Sequence, residues 1–378
     1  MTAPQSITFI HSSDLQLGMT RWFLEGEAQA RFDDARLDSL RRLGDLATRE
    51  GAAFIVIAGD VFDSNSLSPQ TTGRALEALR GLPVPVYLLP GNHDPLVADS
   101  VFKLIDVAGV HLLSDTSVVQ VADGVELVGA PLRARTAASD LVRDALEGLE
   151  PTEAVRIMVG HGQAEARGND LRPDLIDLGY VESRLADGTI DYLALGDTHS
   201  AQPVGTSGRV WFSGSPEVTD FRDHATVGGG ETNSGRALVV EVSKGTAAVR
   251  EEPVGQWTFE ALDRELMGEG DVAEFLAALD AYPDKQRTVI KYGLRGTLDM
   301  SATRALEEGL EARRPVFAAL FERGRLTDLH LEPGVEELDA LGVSGFADAA
   351  LKELVAAAGT DPTARDAVNL FFRLARED

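Results

Sequence analysis

Residues 52–63, Ala52-Ala53-Phe54-Ile55-Val56-Ile57-Ala58-Gly59-Asp60-Val61-Phe62-Asp63, decide the fold. Ala52–Ala58 is continuously apolar, as in a strand buried on both faces. It stops at a glycine followed by a carboxylate. Four other runs end in similar polar motifs. ITFIHSS leads to Asp14-Leu15-Gln16 and VPVYLLP to Gly91-Asn92-His93-Asp94. VRIMV leads to Gly160-His161 and IDYLAL to Gly196-Asp197-Thr198-His199. Strand ends converge on one edge of a sheet, so these side chains can meet. Asp, Asn and His meeting there are ligands for a pair of divalent ions, and such a pair cleaves phosphoesters.

Between these motifs the pattern is helical. Glu27–Arg49 carries apolar Phe32, Ala35, Leu40 and Leu43, and Ser68-Pro69 reads as cap and first residue of the next helix. A short helix is expected over Ser100–Val107 and another near Ala138–Leu149. Val210–Ser213, Ala237–Val242 and Ala247–Val254 read as closing strands. The glycine-rich stretch Thr226–Asn233 reads as a flexible surface loop. The order βαβαβα followed by mostly β predicts an α/β fold: two sheets face to face with helices outside, over residues 1–255.

Past Gln256-Trp257 the pattern changes. Phe259–Leu266 reads as a strand or strand-to-helix passage, Val272–Leu279 as a helix and Arg287–Leu294 as a strand. Ser301–Phe321 reads as a long helix capped by Ser301, and Leu326–Leu331 as a strand. These form a small α+β unit over 256–334. From Pro333-Gly334 a tail follows, 335–378, with a helix pair at Phe346–Ala358 and Thr363–Arg376. Its last helix places Ala364, Ala367, Val368, Phe371 and Leu374 on one face.

The 378 residues carry a net charge of −26 and include no cysteine, which excludes disulfides and thiolate metal sites. The acidity argues against a basic nucleic-acid-binding face. Bound cations would invert the local field of an acidic cleft, and solubility or a salty habitat is the plainer reading of the charge. No apolar run reaches the roughly 18 residues of a membrane span. The N-terminus has no basic region before its first strand, so no signal peptide is expected and a cytoplasmic location is.

Within the constellation, Asp60 follows the central strand and is the natural bridge between two ions. Asp14, Gln16 and His199 complete one ion; Asn92, His161 and Asp197 complete the other. A water bound by both would lose a proton and attack phosphorus in line. His93 is placed to protonate the leaving oxygen or to stabilise the phosphorane-like charge, Asp94 to hold its imidazole tautomer, and Asp63 to support the site without ligating. His11 reads as a core or supporting histidine. His111, His224 and His330 read as surface or structural.

The ordered motifs resemble the calcineurin-like metallophosphoesterases. More narrowly, IHSSDLQLG, AGDVFDS, LPGNHDP, DYLALGDTHS and VWFSGSPEVTDF are similar to SbcD-type DNA-repair exonuclease subunits, along nearly the whole chain. That resemblance implies a four-layer αββα metallophosphoesterase sandwich with a small α+β capping domain and a C-terminal helix pair. It also implies two manganese ions, cleavage of DNA phosphodiesters, an SMC-like (SbcC-type) ATPase partner and a homodimer; the C-terminal helix pair fits either docking on that partner or packing on its own protein. Two positions depart from the family pattern. Asp-x-His is usual where Asp14-Leu15-Gln16 stands, and Gly-His-x-His where Gly196-Asp197-Thr198-His199 stands. Gln16 is expected to loosen its ion, and Asp197 to tighten the other while making it a poorer Lewis acid. These changes leave open a smaller phosphoester substrate, or a weakly active scaffold subunit.

Overall fold

A computed structural model describes residues 6–164, 172–223, 230–331, 345–358, 361, 363–364, 367–368 and 370–371. The chain divides into two compact units: Met1–Glu260 with Arg287–Val289, and Ala261–Gln286 with Ile290–Asp378.

The first unit runs β1 (Ile7–Ser12), α1 (Glu27–Glu50), β2 (Ile55–Ile57), α2 (Pro69–Arg80), β3 (Val86–Leu88), β4 (Val110–Leu112), β5 (Val119–Ala122), β6 (Val125–Gly129), α3 (Leu141–Glu147), β7 (Val155–His161), α4 (Leu178–Ala186), β8 (Tyr192–Gly196), β9 (Gln202–Val204), β10 (Val210–Phe212), β11 (Arg222–Asp223), β12 (Arg236–Ser243) and β13 (Thr246–Pro253). Two six-stranded sheets result, in the orders β13-β12-β1-β2-β3-β4 and β5-β6-β7-β8-β10-β9. Strands β1 to β4 pair in parallel, as do β6, β7 and β8.

Alternation along each strand sets the layers. On β2, Val56 faces a core shared with Val125, Ile157 and Ala194 of the second sheet. Ile55 and Ile57 face the other way, onto Leu40 and Leu43 of α1 and Leu79 of α2. The second sheet does the same: Met158 and Leu193 pack on Val142 of α3 and Val181 of α4. Both faces of each sheet are thus covered, giving four layers in the order αββα. This is why the strand sequences read as continuous apolar runs.

His11 lies in the inter-sheet core. Its Nε2 donates to the Leu195 carbonyl and its Nδ1 accepts from the Tyr192 hydroxyl, each at 3.2 Å. Burial drives its pKa down to about 3, so it is a neutral link between the sheets. His111 stacks on Tyr87 with ring centres 5.0 Å apart, His330 lies 3.1 Å from Asp328, and His224 is outside the described residues.

Strands β14 (Thr258–Leu266) and β15 (Thr288–Leu298) begin in the first unit and continue into the second, which also contains α5 (Glu269–Asp280), α6 (Met300–Arg313), β16 (Ala319–Glu322), β17 (Asp328–Leu331) and α7 (Phe346–Ala358). Strands β14, β15 and β16 lie side by side, and β17 pairs with β15 in parallel. Leu266, Phe275, Tyr292, Leu294 and Leu306 share one core. In the C-terminal segment, Leu351 and Val368 are buried together against Met300 and Leu331. Pro333-Gly334 and Leu374 lie outside the described residues. Among the described residues no helix is long and apolar enough to cross a membrane.

Three expectations change. The helix expected over Ser301–Phe321 ends at Arg313, because Pro315 cannot continue it and restricts the residue before it; residues 319–322 become a strand. Helix α4 was not anticipated: Asp177 caps it through the Tyr180 N–H at 3.0 Å, and Val181 and Leu185 fill its buried side. The helix expected at Ser100–Val107 shrinks to a single 3-10 turn, Val101–Leu104.

The cap of α6 is Asp299, which accepts the Ala302 N–H at 2.8 Å, while Ser301 points its hydroxyl to Glu269. Asp299→Ala should therefore cost about 1 kcal/mol and Ser301→Ala under about 0.5 kcal/mol. Urea unfolding of the full chain checks this; the reverse ranking would contradict the cap assignment.

Candidate metal centre

The five motif loops leave the C-terminal ends of parallel strands. The first two are stitched together beyond their strands: the N–H groups of Asp14, Gln16 and Leu17 donate to the carbonyls of Gly59, Asp60 and Val61 at 3.0, 2.9 and 3.0 Å. The carboxylate of Asp14 accepts the Asp197 N–H at 3.2 Å and the Ser13 hydroxyl at 2.5 Å. The carboxylate of Asp60 accepts the His93 N–H at 2.9 Å. Donor atoms of Asp14, Asp60 and His161 all lie within 4.8 Å of one another, and all three residues are buried.

The other side chains form two groups around that triad. In one, Gln16 Nε2 lies 3.4 Å from His199 Nε2, which is 3.8 Å from Asp14. In the other, His161 Nε2 lies 2.8 Å from Asn92 Oδ1, 3.5 Å from Asp60 and 3.9 Å from Asp197. All seven expected ligands are thus brought to one place.

The backbone is strained where it delivers them. Among the described residues four non-glycine residues have left-handed φ: Asp14 (53°), Gln16 (43°), Asp60 (52°) and Asp197 (96°). All four belong to the centre, and such conformations cost on the order of 1 kcal/mol or more each. The motif glycines answer a packing demand. A Cβ on Gly91 would stand 2.1 Å from Asp60 Oδ1, and one on Gly196 would stand 2.0 Å from the Ala58 carbonyl.

The donor set fits divalent ions. His161 donates Nδ1–H to the Ala58 carbonyl at 2.8 Å, which turns Nε2 toward Asn92 and Asp60. Nε2 of His161 and Oδ1 of Asn92 sit at about the separation of adjacent ligands on one six-coordinate ion, near 3 Å. Gln16 Oε1 is buried and has no hydrogen-bond partner among the described residues, leaving its lone pairs free. His199 turns Nε2 inward because Nδ1 faces Glu231 Oε1 at 2.9 Å.

Charge balance depends on the histidines. Burial opposes their protonation, but Asp60 outweighs it at His161, whose pKa is raised well above the ordinary value. Glu231 and Asp14 do the same at His199, raised to about 9. Burial raises Asp14; Asp60, though also buried, is lowered by His161 and His93.

Two assignments need correction. Among the described residues, the Asp94 carboxyl makes no hydrogen bond or ion pair with the His93 imidazole. It is fully buried and accepts the Gly91 and Phe62 N–H groups at 2.7 and 2.9 Å, tying the second and third loops together. Burial and nearby Asp60 raise it to about 7. The Nδ1 of His93 instead donates to the Asp63 carbonyl at 3.0 Å, and its half-exposed ring borders the cleft. The stretch Thr226–Asn233 is no simple surface loop either: residues 226–229 are outside the described residues, but Glu231 is buried on His199.

Other supports were not anticipated. Arg36 of α1 is buried and donates to the carbonyls of Leu15, Gln16 and Val218; burial lowers it to about 10, still charged at neutral pH. Ser213 meets Ser13 at 2.8 Å, and Ser215 donates to the Asp14 carbonyl at 2.8 Å. The SGSPE stretch, residues 213–217, was the sequence signal for this buttress.

Residues 7–201, more than half of the chain, match the family model described as Calcineurin-like phosphoesterase. The chain belongs to that family. Among curated proteins, it is 36% identical over 96 residues to the "Uncharacterized metallophosphoesterase YhaO" of Bacillus subtilis, covering 24% of each chain. It is 32% identical over 106 residues to the "DNA double-strand break repair protein Mre11" of Archaeoglobus fulgidus, covering 27% of this chain and 23% of that one. The matches thus span about a quarter of either relative's length. Among solved structures, a dimetal phosphatase from Danio rerio is 12% identical with TM-score 0.37, covering 66% of this chain and 99% of that one. Purple acid phosphatase PPD1 from yellow lupin is 10% identical with TM-score 0.41, covering 67% and 52%.

As a calcineurin-like phosphoesterase, this chain is a metal-dependent hydrolase by family. Metal must displace the protons held by His161 and His199. Affinity should therefore rise with pH toward about 9, through His199, and fall as the solution becomes acidic. Calorimetry of Mn2+ binding should show proton release at pH 7; pH-independent affinity without proton release would contradict this. Glu231→Gln should weaken binding by roughly 10–100-fold, since a neutral partner orients His199 less firmly. The same titration reads it, and unchanged affinity would remove Glu231 from the account.

Proposed function

We propose that this chain is a manganese-dependent phosphodiesterase that cuts DNA, the nuclease subunit of an SbcC–SbcD-like repair complex. The observation that carries the reading is the convergence of Asp14, Asp60 and His161, with Asn92, Asp197, His199 and Gln16 around them. The local similarity to the Mre11 repair protein supports the choice of DNA.

Two divalent ions, when bound, supply Lewis-acid polarisation and an acidified water. The protein's residues do the rest. Asp60, whose carboxylate lies within 4.8 Å of the donor atoms of both Asp14 and His161, would be the carboxylate shared by the ions. Asp14, Gln16 and His199 would hold one ion, and Asn92, His161 and Asp197 the other. His93, fixed through Nδ1 by the Asp63 carbonyl, presents Nε2 to the cleft and gives its proton to the leaving oxygen. The ATPase partner docks on the C-terminal helices, where Phe346 of α7 is 89% exposed. The complex is a cytoplasmic homodimer of such pairs.

A second reading, a smaller phosphoester substrate, is favoured by the acidity of the cleft, which Asp197, Asp220 and Glu231 border.

Wild type with Mn2+ should degrade DNA, and Asp60→Asn should lose at least about a thousandfold of that rate. Intact DNA with rapid turnover of a p-nitrophenyl phosphodiester would select the second reading. No turnover of either, alone or with the ATPase, would leave a scaffold subunit.

A further inference from the structure

A smaller cleft, about 260 Å3, adjoins the Asn92–His161–Asp197 side of the centre. It is walled by the loop after β6, the start of α3 and the residues following β7. Gln163, Asn92 and Asp197 border both this cleft and the larger one over Asp60 and His93, so the two adjoin. Their charges differ. Among the described residues, the larger is bordered by Asp60, Asp197, Asp220 and Glu231 and by no Lys or Arg. The smaller has two arginines on its wall. Arg172 is engaged by Asp174 at 2.5 Å. Arg135 is exposed and has no hydrogen bond or ion pair among the described residues. Its neighbours Arg133, Arg143 and Arg156 all do: with the Ser114 carbonyl, with Glu147 and Asp177, and with Glu126.

A nearby unengaged guanidinium beside ligands suited to a phosphodiester matches a second phosphate. We propose that this cleft takes the nucleotide adjoining the scissile phosphodiester and that Arg135 anchors its phosphate. The substrate class is then a polynucleotide, with a phosphate flanking the one that is cut. The inference rests on the phosphodiesterase reading above. It would also let a chain of net charge −26 bind a polyanion: favourable charge would be local, at the centre and at Arg135.

The test compares wild type, Arg135→Ala and Arg135→Lys in Mn2+ on two substrates. One is a short oligothymidylate; the other is bis(p-nitrophenyl) phosphate, which has no flanking phosphate. Arg135→Ala should lower kcat/KM on the oligonucleotide by at least about tenfold, chiefly through KM. It should leave the small diester within about twofold, and Arg135→Lys should fall between. Equal losses on both substrates, or none on the oligonucleotide, would overturn the proposal. Fluorescence anisotropy of a labelled oligothymidylate with Ca2+ gives a separate readout. Arg135→Ala should weaken binding and reduce the salt slope by about one. If wild type cleaves neither substrate, the phosphodiesterase reading fails. The anisotropy series still decides Arg135: unchanged affinity and slope overturn the anchor.

Discussion

Two carboxylates, Asp14 and Asp60, are withdrawn from water close to each other, and the rest of the centre answers to that. An isolated buried carboxylate costs several kcal/mol unless it is paired or hydrogen-bonded. Here backbone N–H groups of Asp197 and His93, the Ser13 hydroxyl and two histidines stand around the pair. The buried Arg36 donates to the carbonyls of Leu15, Gln16 and Val218 rather than to either carboxylate. The site therefore holds its positive charge as protons on His161 and His199, which metal ions can replace. Bringing the loops this close forces four left-handed backbone positions and glycines at 91 and 196.

Much of this is legible in the sequence. Apolar runs ending in Gly-Asp, Gly-Asn or Gly-His report a strand covered on both sides and a side chain delivered at its end. That combination gave the four layers and brought all seven expected ligands together. What the sequence hid was long-range or local in other ways. Glu231 sits in a glycine-rich stretch whose composition suggests a loop, and only its approach to His199 gives it a role. Asp94 and His93 are adjacent in sequence, yet neighbours in a turn point apart: Asp94 turns into the core and His93 to the cleft. Helix α4 is only nine residues long, and Pro315 outweighed the helical appearance of the residues around it.

The two departures from the family pattern acquire a physical shape. Gln16 keeps the backbone conformation of its strained neighbours and leaves Oε1 unbonded, as a neutral oxygen donor would be. Asp197 uses its N–H on Asp14 and keeps its carboxylate 3.9 Å from His161. One side of the centre is thus built from a neutral amide and the other gains a negative charge.

Anomalous diffraction from crystals soaked in Mn2+ tests the central claim most directly. Two peaks about 3.5–4 Å apart are predicted, with Asp60 between them and Gln16 Oε1 on one. A single peak, or peaks away from Asp60, would contradict the two-ion centre.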